Sequence, residues 1–259
     1  MIPLVLLGAA GRMGRAIEQA AGESGDFQIR LRIDRPQQIP PPSARGAGEA
    51  WSDSPEAIAT GDVVVDFSAG PGTSAAARAC AARGAALVSG TTGLDGAVED
   101  ELKAAARRVA VLRAANFSLG IAALRRSLRE VLAVLPASWD IEIVERHHRG
   151  KADSPSGTAL HLAGDAAAAR GLAAGALRFG REGRAGPRPA AEIGVHAVRG
   201  GTWVGDHAVL LAGEGEWIEL RHVASDRQAF AYGALAAARY MATSPPGLYT
   251  MDDVLNQRR

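Results

Sequence analysis

A glycine-rich segment that directly follows an apolar run constrains the fold more than any other feature of the sequence. Residues 2–7 are continuously apolar, Gly8-Ala-Ala-Gly11-Arg-Met-Gly14 follows them, and a helical pattern extends from Arg12 through Ala21. A buried strand, a glycine turn and a helix in this order are typical of dinucleotide-binding folds, because glycines let phosphate oxygens approach the N–H groups of the helix N-terminus. The spacing GxxGxxG is less specific than GxGxxG, so the motif alone is a weak signal.

Asp34 strengthens this interpretation. It lies twenty residues beyond Gly14 at the end of a second predicted strand, residues 28–33, where a carboxylate can accept hydrogen bonds from ribose hydroxyls. Its neighbour Arg35 can pair with a 2′-phosphate, so NADH and NADPH are both expected cofactors. A tight turn in a sheet protein that binds no nucleotide is the alternative.

The pattern of strands and helices predicts two domains. Predicted strands at residues 2–7, 28–33, 63–67, 86–89 and 109–112 alternate with helices, which indicates parallel βαβ units in a doubly wound sheet. Beyond residue 116 a helix at 119–135 and short strands at 140–145, 192–198, 202–204, 207–211 and 217–222 predict an α+β domain with a mixed sheet. The alanine-rich helix 227–241 is expected to return to the first domain, and residues 36–55 to form an irregular surface loop of little function.

Residues 145–158, Glu-Arg-His-His-Arg-Gly-Lys-Ala-Asp-Ser-Pro-Ser-Gly-Thr, are the most informative run in the chain. Asp153, Ser154 or Ser156 can cap a helix that runs to about residue 169, and Pro155 suits its first turn. Gly157 and Thr158 then lie at the helix N-terminus, whose free N–H groups are an anion site for a substrate carboxylate.

Proton-transfer chemistry is also predicted in this run. Only two of the 29 basic residues are lysine, and one of them is Lys151, which suggests a task that arginine cannot perform, such as proton donation. His147 or His148 can act as a general acid near neutral pH. A solvated basic loop is one alternative. A metal site is the other, but adjacent histidines point different ways in an extended segment and no third ligand is evident, so no metal is predicted.

Composition excludes other classes of function. The net charge of +1 and the pI near 8.0 give no electrostatic case for nucleic acid or an anionic membrane. The single cysteine, Cys80, excludes a disulfide framework and is interpreted as a small buried hydrophobe. No run of about 20 apolar residues occurs, and the apolar N-terminus is too short for a signal peptide, so a soluble cytoplasmic protein is expected. His161, His196, His207 and His222 are assigned no role.

Taken together, these motifs resemble those of one family, the 4-hydroxy-tetrahydrodipicolinate reductases, historically called dihydrodipicolinate reductases. Gly8–Arg15 is similar to the family's opening GxxGRMGR loop, and Gly90-Thr-Thr-Gly93 and Ala114-Ala-Asn-Phe117 to its later cofactor loops. The run His147-His-Arg-Gly-Lys151 followed by Asp153-Ser-Pro-Ser-Gly-Thr158 matches the family's active-site signature. The resemblance spans almost the whole chain.

The resemblance implies a reduction of 4-hydroxy-tetrahydrodipicolinate, a dicarboxylate, or of its dehydrated form, by NADH or NADPH in diaminopimelate and lysine biosynthesis. It implies a dinucleotide-binding domain of residues 1–117 and 227–259, and a substrate-binding and oligomerisation domain of residues 118–226 in a homotetramer. His147 becomes the principal acid-base residue, Lys151 a proton donor, His148 a substrate contact, and Gly157 with Thr158 the carboxylate-binding pair. The implied cofactor contacts are Gly8, Ala9, Ala10, Gly11, Arg12, Met13, Asp34, Arg35, Gly90, Thr91, Thr92, Ala114, Ala115, Asn116 and Phe117.

One segment departs from the family pattern. Family members usually have a basic residue and proline after Asp-Phe-Thr, where this chain reads Asp66-Phe-Ser68-Ala69-Gly70, a difference that bears on cofactor affinity or choice. Two other functions remain as hypotheses. One is an amino-acid or aldehyde dehydrogenase with a similar nucleotide domain. The other is a dinucleotide-sensing regulator, which would not need the His-His-x-x-Lys cluster.

Overall fold

The computed structural model describes residues 1–257, and it divides into two compact units. Unit 1 contains Met1–Leu119 together with the chain from Arg227 onward, and unit 2 contains Gly120–Asp226. No helix within residues 1–257 is long and apolar enough to cross a membrane.

Unit 1 is built on a seven-stranded parallel sheet in the order β12-β6-β5-β4-β1-β2-β3. Its central strands are buried on both faces, which explains why they read as continuous apolar runs. The strands are β1 (Ile2–Leu7), β2 (Phe27–Ile33), β3 (Trp51–Ser52), β4 (Val63–Asp66), β5 (Ala86–Ser89), β6 (Ala110–Arg113) and β12 (Gly247–Tyr249).

Helices cover both faces of this sheet. Helices α2 and α3 pack against each other and bury Val5, Val64 and Leu87 from one side, while α1 and α6 pack together and α6 contacts β4 and β5. Cys80 lies on the buried face of α2, and burial raises the pKa of its thiol, as expected for a structural residue. The helices are α1 (Arg12–Ser24), α2 (Gly70–Arg83), α3 (Gly96–Ala106), α6 (Gln228–Met241) and α7 (Met251–Asn256).

Unit 2 contains a five-stranded mixed sheet in the order β11-β10-β7-β9-β8. Strand β10 runs antiparallel to both of its neighbours, whereas β7, β9 and β8 are parallel. Helices α4 and α5 supply Leu128 and Leu162 to the core on one face of this sheet. The elements are α4 (Leu119–Val134), β7 (Asp140–His147), α5 (Gly157–Arg170), β8 (Leu177–Phe179), β9 (Ile193–Arg199), β10 (Gly205–Gly213) and β11 (Glu216–Ala224).

The predicted fold class is confirmed, and three details differ from the sequence analysis. The predicted strand at 202–204 is wrong: these residues form a turn and a loop, because they bond to the segment after β7, with Trp203 O accepting from His148 N. The short strands β3, β8 and β12 were not predicted. The segment 36–55 is not wholly irregular, since it holds short 3₁₀ turns at Pro36–Gln38 and Pro42–Ala44 in addition to β3.

Candidate active site

The glycine loop between β1 and α1 leaves space where side chains would collide with backbone. Gly8 has a φ of +80°, and a Cβ there would lie 2.6 Å from the carbonyl oxygen of Phe67. A Cβ on Gly14 would collide with the carbonyl oxygens of Gly8 and Ala9. Only glycine satisfies both positions, so the loop can bend tightly and α1 can start close to the sheet.

Helix α1 presents an uncapped N-terminus at this loop. Gly11 occupies the N-cap position and supplies no side-chain hydrogen bond to the first turn, which begins with Arg12 and Met13. The first-turn N–H groups of a helix carry partial positive charge and bind phosphate well. The sequence-predicted residues of this loop therefore lie where a pyrophosphate is best received.

Asp34 joins the glycine loop to the end of β2. Its carboxylate accepts from the backbone N–H of Ala10 at 2.9 Å and from that of Arg35 at 2.8 Å, which leaves acceptor capacity for ribose hydroxyls. Asp34 and Arg35 border a cavity of about 720 Å³, which is ample for a nucleoside. The wall also contains residues of the loop that was expected to have little function: Pro36, Gln38, Asp53 and Pro55.

A buried carboxylate ties the next cofactor loops together. Asp66 is fully buried and accepts hydrogen bonds from the side chains of Ser68, Thr73, Ser89 and Thr91 at 2.5 to 3.0 Å. The Ser68 hydroxyl thus points towards the protein interior, and the next residue, Ala69, lines the cavity. The departure from the family pattern therefore leaves an uncharged side chain, that of Ala69, at this part of the cavity wall.

The loops after β5 and β6 meet around two aromatic rings. Phe67 and Phe117 pack edge to face with centroids 5.4 Å apart, and a Cβ on Gly90 would collide with both rings. Gly90 and Phe117 are therefore brought together, while the contact of these loops with a cofactor stays a prediction. Thr92, Ala114, Ala115 and Asn116 follow the same two strands at the carboxyl edge of the sheet, where ligands of such folds bind.

In unit 2, one face of the sheet changes from apolar to polar along its strands. Ile141 and Ile143 of β7 belong to the core, and the next two residues on the same face are Glu145 and His147. Glu145 has no exposed surface. A buried carboxylate needs charged or hydrogen-bonding partners, and Glu145 has them.

Four hydrogen-bond donors surround Glu145. Its Oε2 accepts from His147 Nδ1 at 2.6 Å and Arg199 Nη1 at 2.7 Å, and its Oε1 accepts from Arg199 Nη2 at 2.7 Å and Ser156 N at 2.9 Å. Burial alone would raise the pKa of Glu145, but the hydrogen bonds from Arg199, His147 and Ser156 outweigh it and lower the pKa. The group is a carboxylate at neutral pH.

His147 is nearly buried, and two opposing effects act on its ring. Burial lowers its pKa below the ordinary value of 6.5, Glu145 acts in the opposite direction, and the positive charges of Lys151 and Arg199 lower it further. His207 packs edge to face against it with ring centroids 5.1 Å apart. The uncharged imidazole is therefore the main form of His147 near pH 7 in the free protein.

The predicted helix start forms at Ser156. The Ser156 side chain caps α5 by accepting from Ala159 N at 3.2 Å, and its Oγ lies 3.0 Å from His207 Nε2. Helix α5 begins at Gly157, so Gly157 and Thr158 are in its first turn, as predicted. Pro155 lies before the helix and follows a cis peptide bond.

Lys151 and His148 flank this region on the segment after β7. Lys151 Nζ bonds to both oxygens of Asp153 at 2.8 Å, and its charge is close enough to affect His147. His148 is half-buried, and its backbone N–H donates to Trp203 O at 2.8 Å. Within residues 1–257, no cluster of three or more His, Cys, Asp or Glu side chains is arranged to hold a metal.

Sequence reasoning missed Glu145, Arg199 and His207 as members of the site. Arg199 lies 54 residues from Glu145, and only the pairing of β9 with β7 brings them together. One signal was available for Glu145, because a carboxylate in phase with Ile141 and Ile143 on a half-buried strand must be paired or exposed.

Comparisons with known proteins agree across the chain. Residues 2–117 match the family description "Dihydrodipicolinate reductase, N-terminus", and residues 120–255 match "Dihydrodipicolinate reductase, C-terminus". The 4-hydroxy-tetrahydrodipicolinate reductase of Thermomicrobium roseum is 46% identical over 98% of this chain and 100% of its own. That of Caulobacter vibrioides is 42% identical over 100% and 98%. A dipicolinate-bound dihydrodipicolinate reductase from Paenisporosarcina sp. TG-14 superposes with a TM-score of 0.79 at 21% identity, covering 96% of this chain and 97% of that one.

The doubly wound sheet, the glycine loop and the acidic residue after β2 are those of a dinucleotide-binding protein, and the named relatives make it a nicotinamide-dependent oxidoreductase. The matches to both family descriptions then identify its kind: the chain belongs to the dihydrodipicolinate reductase family. The predictions of family, enzyme class and NADH or NADPH as cofactor are confirmed.

Proposed function

We propose that this chain reduces 4-hydroxy-tetrahydrodipicolinate or its dehydrated form, with His147 and Lys151 delivering the proton and unit 2 holding the substrate. The observation that carries the proposal is the His147 ring, which is held by a buried carboxylate next to the capped start of α5. An acid-base group beside an anion-binding helix N-terminus fits a dicarboxylate that must be protonated as it is reduced.

The substrate's carboxylate is received by the first turn of α5. The backbone N–H groups of Gly157 and Thr158 lie at the positive end of a 14-residue helix and are suited to a carboxylate. His148 is a further substrate contact in this proposal. Binding the substrate through its carboxylates orients its ring before the reaction. Such orientation generally lowers the activation free energy by several kcal/mol.

Proton delivery depends on His147 and Lys151. Glu145 accepts the Nδ1 hydrogen of His147, so Nε2 is the atom that takes up and releases a proton. A bound dicarboxylate adds negative charge near the ring and raises the fraction of protonated His147. Lys151 is held by Asp153 and serves as the second donor.

Unit 1 holds the cofactor. The pyrophosphate is received by residues 8–13 at the start of α1, the ribose by Asp34, and the remaining contacts by the loops at 90–92 and 114–117. The nicotinamide, when bound, supplies the hydride. The uncapped α1 terminus and the adjoining cavity support this assignment.

Replacing either proton donor tests the proposal. Lys151→Ala and His147→Ala are each expected to lower kcat by at least about a hundredfold while nucleotide affinity stays nearly unchanged, because the proposed proton donors lie in unit 2 and the nucleotide contacts in unit 1. Turnover is measured with enzymatically generated substrate beside a panel of aldehydes and amino acids, and nucleotide affinity by calorimetry.

Lys103→Ala is the matched control for Lys151→Ala. Lys103 is the other lysine of the chain and also bonds an aspartate, Asp100, at 2.8 Å, but it lies on the exposed side of α3. This variant should keep normal turnover. A folded His147→Ala or Lys151→Ala enzyme with near-normal turnover would show that the role assigned to that residue is wrong. A wild-type enzyme that turns over only the aldehydes or amino acids of the panel would reject the proposed substrate.

The proposal extends to assembly and location: a cytoplasmic homotetramer that associates through residues 118–226. Support comes from large exposed hydrophobic side chains on the sheet of unit 2. Val198, Trp217 and Val223 are 40%, 70% and 58% exposed, and their strand positions place them on the face opposite α4 and α5.

A further inference from the structure

The buried carboxylate of Glu145 has no remaining acceptor capacity. Each of its two oxygens accepts two hydrogen bonds, and a carboxylate offers about four acceptor positions. Two of the donors come from one guanidinium, that of Arg199, in a bidentate pair. Glu145 therefore has no free position with which to bind or protonate a substrate, and any effect it has on the reaction must pass through its partners.

The hydrogen bond to Glu145 decides which ring nitrogen of His147 carries hydrogen. A carboxylate only accepts, so Nδ1 must donate and Nε2 of the neutral ring is the basic atom. Gly205 lies beside that atom: a Cβ there would be 3.3 Å from Nε2. The absence of a side chain at this position leaves Nε2 uncrowded, which is required if Nε2 exchanges protons with a ligand.

We propose that Glu145, locked in place by Arg199, is the positioning residue that fixes the tautomer of His147 and sets its proton affinity during reduction. The inference rests on the proposed acid-base role of His147. Glu145 lies on β7, Arg199 on β9 and Ser156 at the start of α5. In this proposal the three segments together hold the imidazole of His147 in one tautomer.

The charged groups around His147 predict shifts of opposite sign. Glu145 on β7 stabilises the imidazolium, whereas Arg199 on β9 and Lys151 after β7 destabilise it. His207 on β10 is uncharged at neutral pH, because burial, and less strongly His147, lower its pKa to about 4. Removing the charge of Glu145 should therefore lower the pKa of His147, and removing that of Arg199 should raise it.

Glu145→Gln should also reverse the tautomer. Arg199 and Ser156 both donate to the position of Oε1, so the amide oxygen of the substituted side chain will occupy that side and its NH₂ group will face His147 Nδ1. Nδ1 then becomes the acceptor and Nε2 carries the hydrogen. A wrong tautomer lowers kcat strongly in enzymes that depend on a carboxylate-oriented histidine, and we expect a loss of at least about tenfold here with a smaller change in KM.

The experiment combines nitrogen NMR of ¹⁵N-histidine-labelled full-length protein with pH profiles of kcat/KM, and the His147 signal is assigned by its loss in His147→Asn. The wild-type ring should be the Nδ1–H tautomer and Glu145→Gln the Nε2–H tautomer. The transition in the pH profile of kcat/KM that reports His147 should move to lower pH in Glu145→Gln and to higher pH in Arg199→Gln. Loss of packing alone would not shift the two transitions in opposite directions.

Glu142→Gln is the matched control. Glu142 lies on the same strand and also bonds a histidine, with 2.7 Å between Oε2 and His196 Nε2, but it does not contact His147. It should leave the His147 tautomer and the transition in the pH profile unchanged. An Nε2–H tautomer in the wild type overturns the inference whether or not Glu145→Gln folds, because that result needs only the His147→Asn assignment. An Nδ1–H tautomer in folded Glu145→Gln overturns it as well. Normal turnover of His147→Ala would instead reject the proposed function while leaving the tautomer result intact.

Discussion

His207 makes the stability of the protein depend on pH. The side chain is 3% exposed, and burial is the main reason that its pKa is lowered from 6.5 to about 4. His207 therefore takes up a proton near pH 6.5 in the unfolded chain, but only near pH 4 in the folded protein. Stability contributed by the neutral ring is present above pH 6.5 and is lost as the pH falls towards 4.

Replacing His207 with a residue that does not titrate should remove part of this dependence. Between pH 7 and pH 5 the free energy of unfolding of the wild type should fall by about 2 kcal/mol more than that of His207→Gln, since one proton over one and a half pH units is worth about that much. Glutamine is chosen because its amide forms hydrogen bonds but does not titrate. Urea unfolding at the two pH values measures the difference, and equal slopes in both proteins would show that His207 already titrates normally when folded.

Asp34 is expected to govern cofactor choice. Its carboxylate accepts well from ribose hydroxyls and repels a 2′-phosphate, whereas its neighbour Arg35 favours the phosphate. We expect NADH to be used at least as well as NADPH. Ala69 supports this expectation, because it lines the cavity where the family pattern has a basic residue and cannot pair with a 2′-phosphate. A tenfold or larger preference for NADPH would show that Arg35 governs the pocket instead.

Asp34→Asn separates the charge of Asp34 from its structural bond. The amide oxygen of asparagine can still accept from Ala10 N, as the carboxylate does at 2.9 Å, so the glycine loop should keep its shape. Loss of the charge should lower the ratio of kcat/KM for NADH to that for NADPH by about tenfold. Both cofactors are compared at one substrate concentration and one salt concentration.

At the scale of elements, the sequence predicted those whose pattern is set by local burial. Strand β1 and helix α1 were predicted because a strand covered on both faces must be apolar throughout, and a glycine-rich turn separates this one from a helical pattern. Strands β3, β8 and β12 are two or three residues long. They form because their backbone groups hydrogen-bond to the edge of a neighbouring strand. No periodicity within so short a segment can indicate such pairing.

The cap of α5 is an element-scale feature that the sequence predicted only in part. Three residues were candidate caps, and the structure selects Ser156, whose backbone N–H also bonds Glu145 and whose hydroxyl lies beside His207. These partners come from β7 and β10, so the choice among the candidates depends on tertiary contacts. The buried Glu145–Arg199 pair escaped prediction for the same reason.

Ser156→Ala should therefore cost more than loss of an ordinary cap. An N-cap substitution costs about 1 kcal/mol. Here His207 also loses its Nε2 partner, and its buried Nδ1 has no hydrogen-bond partner among residues 1–257, so we expect a loss of about 2 kcal/mol. Asp95→Ala is the control, because Asp95 caps α3 at an exposed position by accepting from Val98 N at 2.9 Å. Denaturant unfolding compares the two variants, and equal losses would show that the contact with His207 adds nothing.

At the scale of the whole molecule, the face of the unit 2 sheet opposite α4 and α5, here called the open face, is the surface that we expect to bind other copies of the chain. Trp217 and Val223 on β11 and Val198 on β9 share this face, while the alternate residues Ile218 and Leu220 pack into the core. The face also carries the pair of Arg146 with Asp206 at 2.9 Å. Apolar side chains with a few paired charges are the usual composition of an interface between copies of one chain.

We expect the protein to be a tetramer at micromolar concentration and Trp217→Asp to dissociate it into smaller species. A buried, unpaired carboxylate destabilises an apolar interface by several kcal/mol. In a symmetric assembly every copy carries the substitution, so the destabilisation is repeated in each copy. Val134→Asp is the matched control, because Val134 is 80% exposed at the end of α4, on the side of unit 2 opposite the open face. It should leave the mass unchanged. Light scattering measures the mass of all three proteins, and a wild-type monomer, or a Trp217→Asp variant that keeps the wild-type mass, would place the contact surface elsewhere.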